Sequence, residues 1–198
     1  MMIITAATNN KGKLEEIKDI CNQFGIKCRG LAEAGISSDP EETGKTLSEN
    51  AAIKARAVYE IAKTPTVADD SGLFIDALGG LPGIKSARYA ENDLARIERV
   101  LSETKGAKNR SAQFRCAICF IDENGEEFIF NGAVSGEIAK APQGENGFGY
   151  DPIFIYECSD GVKRSFAEIS AYEKNLISHR AVALGELSKF LGERYADK

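Results

Sequence analysis

SAQFRCAICFIDENGEEFIF, residues Ser111 to Phe130, decides the fold class. In its first half Ala112, Phe114, Cys116, Ile118 and Phe120 fall at every second position, with Gln113 and Arg115 between them. A period of two puts alternate side chains on opposite faces, so this stretch predicts a half-buried strand. Asp122-Glu-Asn-Gly125 predicts a hairpin turn, and Glu127–Phe130 predicts the strand returning antiparallel.

Working outward toward the N-terminus, the period becomes helical between short apolar runs. Met2–Ala7 predicts an opening strand. Gly12–Phe24 predicts a helix with Leu14, Ile17, Ile20, Cys21 and Phe24 on one stripe. Residues 36–45 are a polar loop. Thr46-Leu-Ser-Glu49 has capping-box form and opens a helix to Ala62, with Leu47, Ala51, Ala55 and Val58 inward. A strand Thr66–Asp69 and a helix Asp93–Glu103 follow. Beyond the hairpin come a strand Val134–Ile138, a Gly-rich loop Lys140–Gly149 and a strand Ile153–Tyr156. Ser170-Ala-Tyr-Glu173 opens one last helix through Leu176, Leu184, Leu187 and Phe190. Helices alternating with strands, then a hairpin, predict an α/β protein with a mixed sheet.

The 198 residues suffice for one substantial domain or two small lobes sharing a sheet. A net charge of −5 and a pI of about 5.1 argue against general binding to nucleic acid or an anionic membrane. They leave room for a small anion held by local Lys and Arg. No apolar run approaches the roughly 20 residues that span a bilayer. MMIITAATNN has no basic region before its apolar run and reads as a strand, not a signal peptide. The five cysteines, an odd count, predict reduced thiols and a cytoplasmic chain. Cys116 and Cys119 fall on opposite faces of the predicted strand, which suits buried structural thiols better than a zinc site.

Four polar clusters carry the candidate chemistry. Thr8-Asn9-Asn10-Lys11-Gly12-Lys13 joins the first strand to the first helix, where a helix N-terminus suits phosphate. The alternative there is a plain turn with a solvated Lys pair. Pro40-Glu41-Glu42-Thr43-Gly44 supplies loop carboxylates. Asp69-Asp70-Ser71-Gly72 places two carboxylates at a predicted strand end, where a divalent cation would relieve their repulsion. The alternative is a turn in which Asp caps backbone N–H groups. Gly147-Phe148-Gly149-Tyr150-Asp151-Pro152 puts two aromatics and a carboxylate on a glycine hinge, suited to stacking on a planar base. Lys174, Ser178, His179 and Arg180 lie on the last predicted helix. Together these read as a nucleoside triphosphate site, without the P-loop or the Rossmann glycine pattern.

The motifs carry a resemblance. They are T-x-N-x-x-K (Thr8, Asn10, Lys13), E-E-T-G-x-T-x-x-E-N-A (Glu41 to Ala51), A-D-D-S-G-L, L-G-G-x-P-G, S-A-R-Y-A, G-F-G-Y-D-P-I-F and E-K-N-x-x-S-H-R (Glu173 to Arg180). In this order, over nearly the whole chain, they resemble the inosine triphosphate pyrophosphatase, or Ham1-like, family. The resemblance implies an elongated α/β fold with a long mixed β-sheet flanked by helices and two lobes with a substrate cleft between them. It also implies a homodimer that uses Mg2+ to hydrolyse ITP, dITP and XTP to the monophosphate and pyrophosphate. Carried onto this chain, Asp70 would be the proton acceptor and a metal ligand, with Glu41 or Glu42 as the second acidic ligand. Thr8, Asn9, Asn10, Lys11, Gly12, Lys13 and Ser71 would hold the triphosphate. Phe148, Gly149, Tyr150, Asp151, Lys174, His179 and Arg180 would hold base and sugar. Two rival classes are an aspartic protease, from the short Asp70-Ser71-Gly72 motif, and a nucleotide sensor that does not hydrolyse. Metal dependence separates the first and turnover the second.

Overall fold

A computed structural model describes residues 3–23 and 25–195. The early part runs β1 (Ile3–Ala6), α1 (Lys11–Gln23), β2 (Lys27–Gly30), α2 (Leu31–Ala34), α3 (Leu47–Ala62), β3 (Thr66–Ile75) and α4 (Asp93–Glu103). Then come β4 (Ser111–Ile121), β5 (Glu127–Ile138), β6 (Phe154–Glu157), β7 (Lys163–Ser165), α5 (Ala171–Ile177) and α6 (His179–Tyr195). The strands form one seven-stranded sheet in the order β2-β1-β3-β4-β5-β6-β7. β1 is parallel to β2 and β3, and β6 is antiparallel to β5 and β7, so the sheet is mixed as expected. The hairpin turn is present: Asp122 N–H donates to the Glu126 carbonyl at 3.0 Å and Gly125 takes a positive φ.

Several elements differ from the expectation, and Met2 and Phe24 lie outside the described residues. The strand expected to stop at Asp69 runs on to Ile75. Gly72 permits this, because a Cβ there would collide with the Gly83 carbonyl, and Leu73 N–H donates to Ser86 Oγ at 2.8 Å. The two strands expected at Glu127–Phe130 and Val134–Ile138 are one strand, β5. The short strands β2 and β7 carry no apolar alternation that would mark them. The single last helix is two. Ser178 breaks it with φ −67° and ψ 158°, an extended backbone of the kind a helix N-cap takes and serine favours.

The chain divides into two compact units: residues Met1–Asp70, Cys116–Gly132 and Arg180–Lys198, and residues Ser71–Arg115 and Ala133–His179. The first unit has a core on each face of its strands. On one face Ile4, Ala6, Val67, Cys116, Ile118 and Phe120 pack on Ile17 and Cys21 of α1 and on Leu184, Leu187 and Leu191 of α6. On the other, Ala7, Ala68, Cys119 and Ile121 pack on Ala51, Ala52, Ala55 and Val58 of α3, where small side chains let the helix lie close. Cys116 and Cys119 therefore do face opposite ways, and all five cysteines are free thiols. The second unit is built on Leu73, Ile75, Phe114, Ile138, Phe154 and Phe166 with Ile97 and Val100 of α4. Among the described residues no helix is long and apolar enough to cross a membrane.

Candidate active site

β3 carries the acidic pair, and both aspartates are buried. Successive strand residues face opposite sides. Val67 joins the α1/α6 core and Ala68 the α3 core, and the two aspartates continue that alternation. Asp69 is buried on the α1/α6 side, 3.0 Å from Lys13 Nζ and 3.1 Å from Arg180 Nε. Arg180, 1% exposed, also pairs with Glu16. Burial pushes the Asp69 carboxyl up, but Lys13, Arg180 and Lys54 together outweigh it and hold it well below the usual carboxylate range. The repulsion expected between Asp69 and Asp70 is thus already relieved: each has its own face, and the charges of Lys13 and Lys54 act on both.

Asp70 faces α3. Its Oδ1 accepts from Lys54 Nζ at 3.0 Å and its Oδ2 from Asn50 Nδ2 at 3.2 Å. Burial raises its carboxyl pKa against the pull of Lys54 and Lys13, and the Glu42 charge adds to the rise. Lys54 Nζ also pairs with Glu42 Oε1 at 2.8 Å. Burial disfavours the Lys54 ammonium, but Asp70, Asp69 and Glu42 raise its pKa above the ordinary lysine value. Glu42 and Asp70 therefore converge on one cation, whereas Glu41 is exposed at the surface. Asn50 Oδ1 accepts from Gly44 N–H at 2.9 Å, and a Cβ on Gly44 would run into Asn50 and Glu49. That contact ties the Glu41–Gly44 loop to Asp70.

Asn50 falls within the E-E-T-G-x-T-x-x-E-N-A motif without a role assigned to it, and Lys54 lies outside every motif. Their signal was available: they stand i,i+4 on α3, beside the apolar stripe Leu47, Ala51, Ala55. Thr46 caps α3 as expected, accepting from Glu49 N–H at 3.1 Å. The Glu49 carboxylate reaches Lys45 N–H, one residue before the cap, so only half of the capping box forms.

The Thr8–Lys13 loop stands at the start of α1. Asn10 Oδ1 accepts from Lys13 N–H at 3.1 Å, so Asn10 caps the helix. Thr8 Oγ1 accepts from Asn10 N–H and Asn9 Nδ2 donates to the Ser38 carbonyl. Lys11 is exposed and Gly12 half-buried, so this helix start offers N–H groups suited to an anion.

In the second unit the aromatic hinge closes on Asp151. Its Oδ2 accepts from Phe148 N–H at 2.8 Å and from buried Lys174 Nζ at 2.6 Å. Lys174 Nζ lies 4.3 Å from the centroid of the Phe148 ring. Gly147 has φ +78°, and a Cβ there would strike the Asp151 carboxylate. Tyr150 is buried, with its hydroxyl donating to the Ser86 carbonyl at 2.9 Å. Burial keeps that phenol protonated. His179 is buried and stacked on Phe114, ring centroids 4.8 Å apart. Ser71 follows Asp70 in β3 and is half-buried. Phe148, Gly149, Tyr150, Asp151 and Lys174 are thus brought together. Ser178 ends α5, and Arg180 lies in the first unit beside Asp69. The single helix expected to carry Lys174, Ser178, His179 and Arg180 is therefore divided at Ser178.

Among the described residues no group of three or more His, Cys, Asp or Glu side chains is placed to hold a metal. Glu42 and Asp70 are two hard carboxylates gathered on one cation. That donor set fits Mg2+, which takes one or two carboxylates and fills its shell with water and phosphate oxygens.

The chain matches the Ham1 family over residues 4–190. A dITP/XTP pyrophosphatase of Bacillus subtilis (strain 168) is 50% identical over 190 residues, 93% of this chain and 94% of that one. The dITP/XTP pyrophosphatase of Treponema denticola is 45% identical, covering 96% and 98%. Of the solved structures, a HAM1 protein from Coxiella burnetii superposes with a TM-score of 0.86 at 44% identity, over 98% of this chain and all of the other. The Staphylococcus aureus Ham1 protein gives 0.85 at 42%. With its mixed sheet, its acidic β3 and its full-length likeness to these proteins, the chain belongs to the Ham1 family.

Proposed function

We propose that this protein is a nucleoside triphosphate pyrophosphatase that hydrolyses the deaminated purine nucleotides ITP, dITP and XTP to monophosphate and pyrophosphate. The observation that carries the reading is Asp70, a buried carboxylate with a raised pKa, fixed by Asn50 and Lys54 and gathered with Glu42 on one cation. Relatives named dITP/XTP pyrophosphatase at 50% and 45% identity support it.

In this reading Asp70 takes the proton of the attacking water. A raised pKa makes it a stronger base than an ordinary aspartate, and the bonds from Asn50 and Lys54 fix its two oxygens. Water adds at the α-phosphorus, the bond to the bridging oxygen breaks, and pyrophosphate leaves. Glu42 and Asp70 are the proposed Mg2+ ligands; the ion, when bound, offsets charge on the triphosphate. Lys54, the Lys11–Lys13 start of α1 and Ser71 supply donors to the phosphates. The Phe148–Asp151 hinge with Lys174 receives the base, and His179 and Arg180 are the family's further candidates for base and sugar. An ammonium can only donate, so Lys174 suits the 6-oxo acceptor of hypoxanthine and xanthine and opposes the 6-amino group of adenine. Guanine shares the 6-oxo group, so its exclusion acts at the 2-amino group.

We place the protein in the cytoplasm, in keeping with its five free thiols, and as a homodimer, for which sedimentation at working concentration is the check. The functional test is the product. Phosphorus NMR of ITP turnover with Mg2+ should show IMP and pyrophosphate in equal amounts, and EDTA should stop the reaction. Orthophosphate released stoichiometrically, or full rate after rigorous chelation, would refute the reading.

A further inference from the structure

Asp93, the first residue of α4, has no part in the chemistry above. It is not the helix cap: Asn92 holds that place, its Oδ1 accepting from Ala95 N–H at 2.9 Å. The Asp93 carboxylate instead bonds both outside its helix and within it. Its Oδ2 accepts from Gly149 N–H at 3.0 Å, and its Oδ1 accepts from Arg96 at 2.6 Å. Arg96 is fixed in turn, donating through Nε to the Ala90 carbonyl at 3.2 Å.

The peptide that Asp93 holds joins Phe148 to Gly149. Its other end is held too, because the Phe148 carbonyl accepts from Asp151 N–H at 3.3 Å. A peptide unit is planar, so fixing its N–H and its C=O fixes its orientation. That orientation sets the backbone from which the Phe148 ring stands beside Lys174 Nζ. Gly149 has φ +62°, a conformation glycine takes without strain, so the hinge relies on external bonds to stay in one conformation.

We propose that Asp93 is a positioning residue for base recognition: it locks the Phe148–Gly149 peptide and, through it, the Phe148 ring beside Lys174. The proposal rests on the reading of the Lys174 cluster as the base site. The test compares wild type, Asp93→Ala and Asp93→Asn. Three quantities are measured: kcat and KM for ITP, and the inhibition constant of inorganic tripolyphosphate, which has no base. Asp93→Ala should raise KM roughly three- to tenfold, the worth of one hydrogen bond, with kcat within about twofold. Tripolyphosphate should bind it as it binds wild type. Asp93→Asn keeps an oxygen that accepts from Gly149 and should recover most of the lost affinity. An unchanged KM in Asp93→Ala, an equal weakening of tripolyphosphate, or an Asn variant as weak as the Ala variant would each overturn the proposal. A wild-type protein that turns over no purine nucleoside triphosphate would instead remove the base-site reading, and the proposal with it.

Discussion

At Asp70 burial raises the carboxyl's hold on its proton against the opposing charges of Lys54 and Lys13. A raised folded-state pKa favours folding below the unfolded pKa, and that contribution is lost as pH rises through the folded value. Asp70→Asn removes the buried charge but turns one acceptor into an amide donor facing Lys54 or Asn50, so at neutral pH its thermal midpoint should stay close to that of wild type. Its turnover should fall by roughly 10²–10⁴, the range for losing a positioned base. Melting and steady-state assays on one preparation check both, and a midpoint well below wild type would contradict the account. Asp69 behaves oppositely, because Lys13 and Arg180 outweigh its burial and depress its pKa. Its contribution is present above the unfolded pKa and is lost as pH falls through the folded one. Asp69→Asn takes a buried carboxylate away from Lys13 and Arg180, leaving Arg180 with Glu16, and should cost about 3–5 kcal/mol at neutral pH. The gap to wild type should narrow as pH drops below the ordinary aspartate range. A gap that widens toward acid would reverse the assignment.

Among the elements, α3 and the Gly147–Asp151 hinge do the positioning. Lys54→Met removes the main charge holding the Asp70 pKa down. The acid limb of the pH–rate profile should therefore move to higher pH, and a limb that moves down or stays fixed would detach Lys54 from Asp70. Gly147→Ala forces a side chain into φ +78° and into the Asp151 carboxylate. Strain of that kind should raise KM for ITP roughly tenfold or more, as initial-rate kinetics will show. Element boundaries were legible where a period was long. The alternation of Ala112 to Phe120 and the spacing of Leu47, Ala51 and Ala55 correspond to β4 and α3. β3 was read too short because two adjacent carboxylates resemble a turn. The cations that make Asp69 tolerable inside a strand are Lys13 and Arg180, the latter 111 residues away, and no local pattern reveals them. The break at Ser178 was hidden for a related reason: serine fits a helix interior in sequence, and only its backbone shows the cap.

For the whole molecule, the family's long motifs made most of the site legible before any coordinates. Asp70, Glu42, Lys13, Asp151 and Lys174 all stand in charged or aromatic clusters. The roles of Asn50 and Lys54 are only faintly signalled, because polar residues on a helix read as a solvated face until the strand beside them is placed. Choosing Glu42 over Glu41 likewise needed the position of Lys54. In the proposed function the protein selects 6-oxo purines carrying no 2-amino group. Each mispaired buried group costs about 1–3 kcal/mol, so adenine, which has a donor at position 6 where the 6-oxo purines have an acceptor and an acceptor at N1 where they have an N–H donor, should lose roughly 10²–10⁴ in kcat/KM. The most direct measurement is kcat/KM for ITP, dITP, XTP, GTP and ATP under one Mg2+ condition. The account predicts similar high values for ITP, dITP and XTP, with GTP and ATP far below them; equal values for GTP and ITP would contradict it.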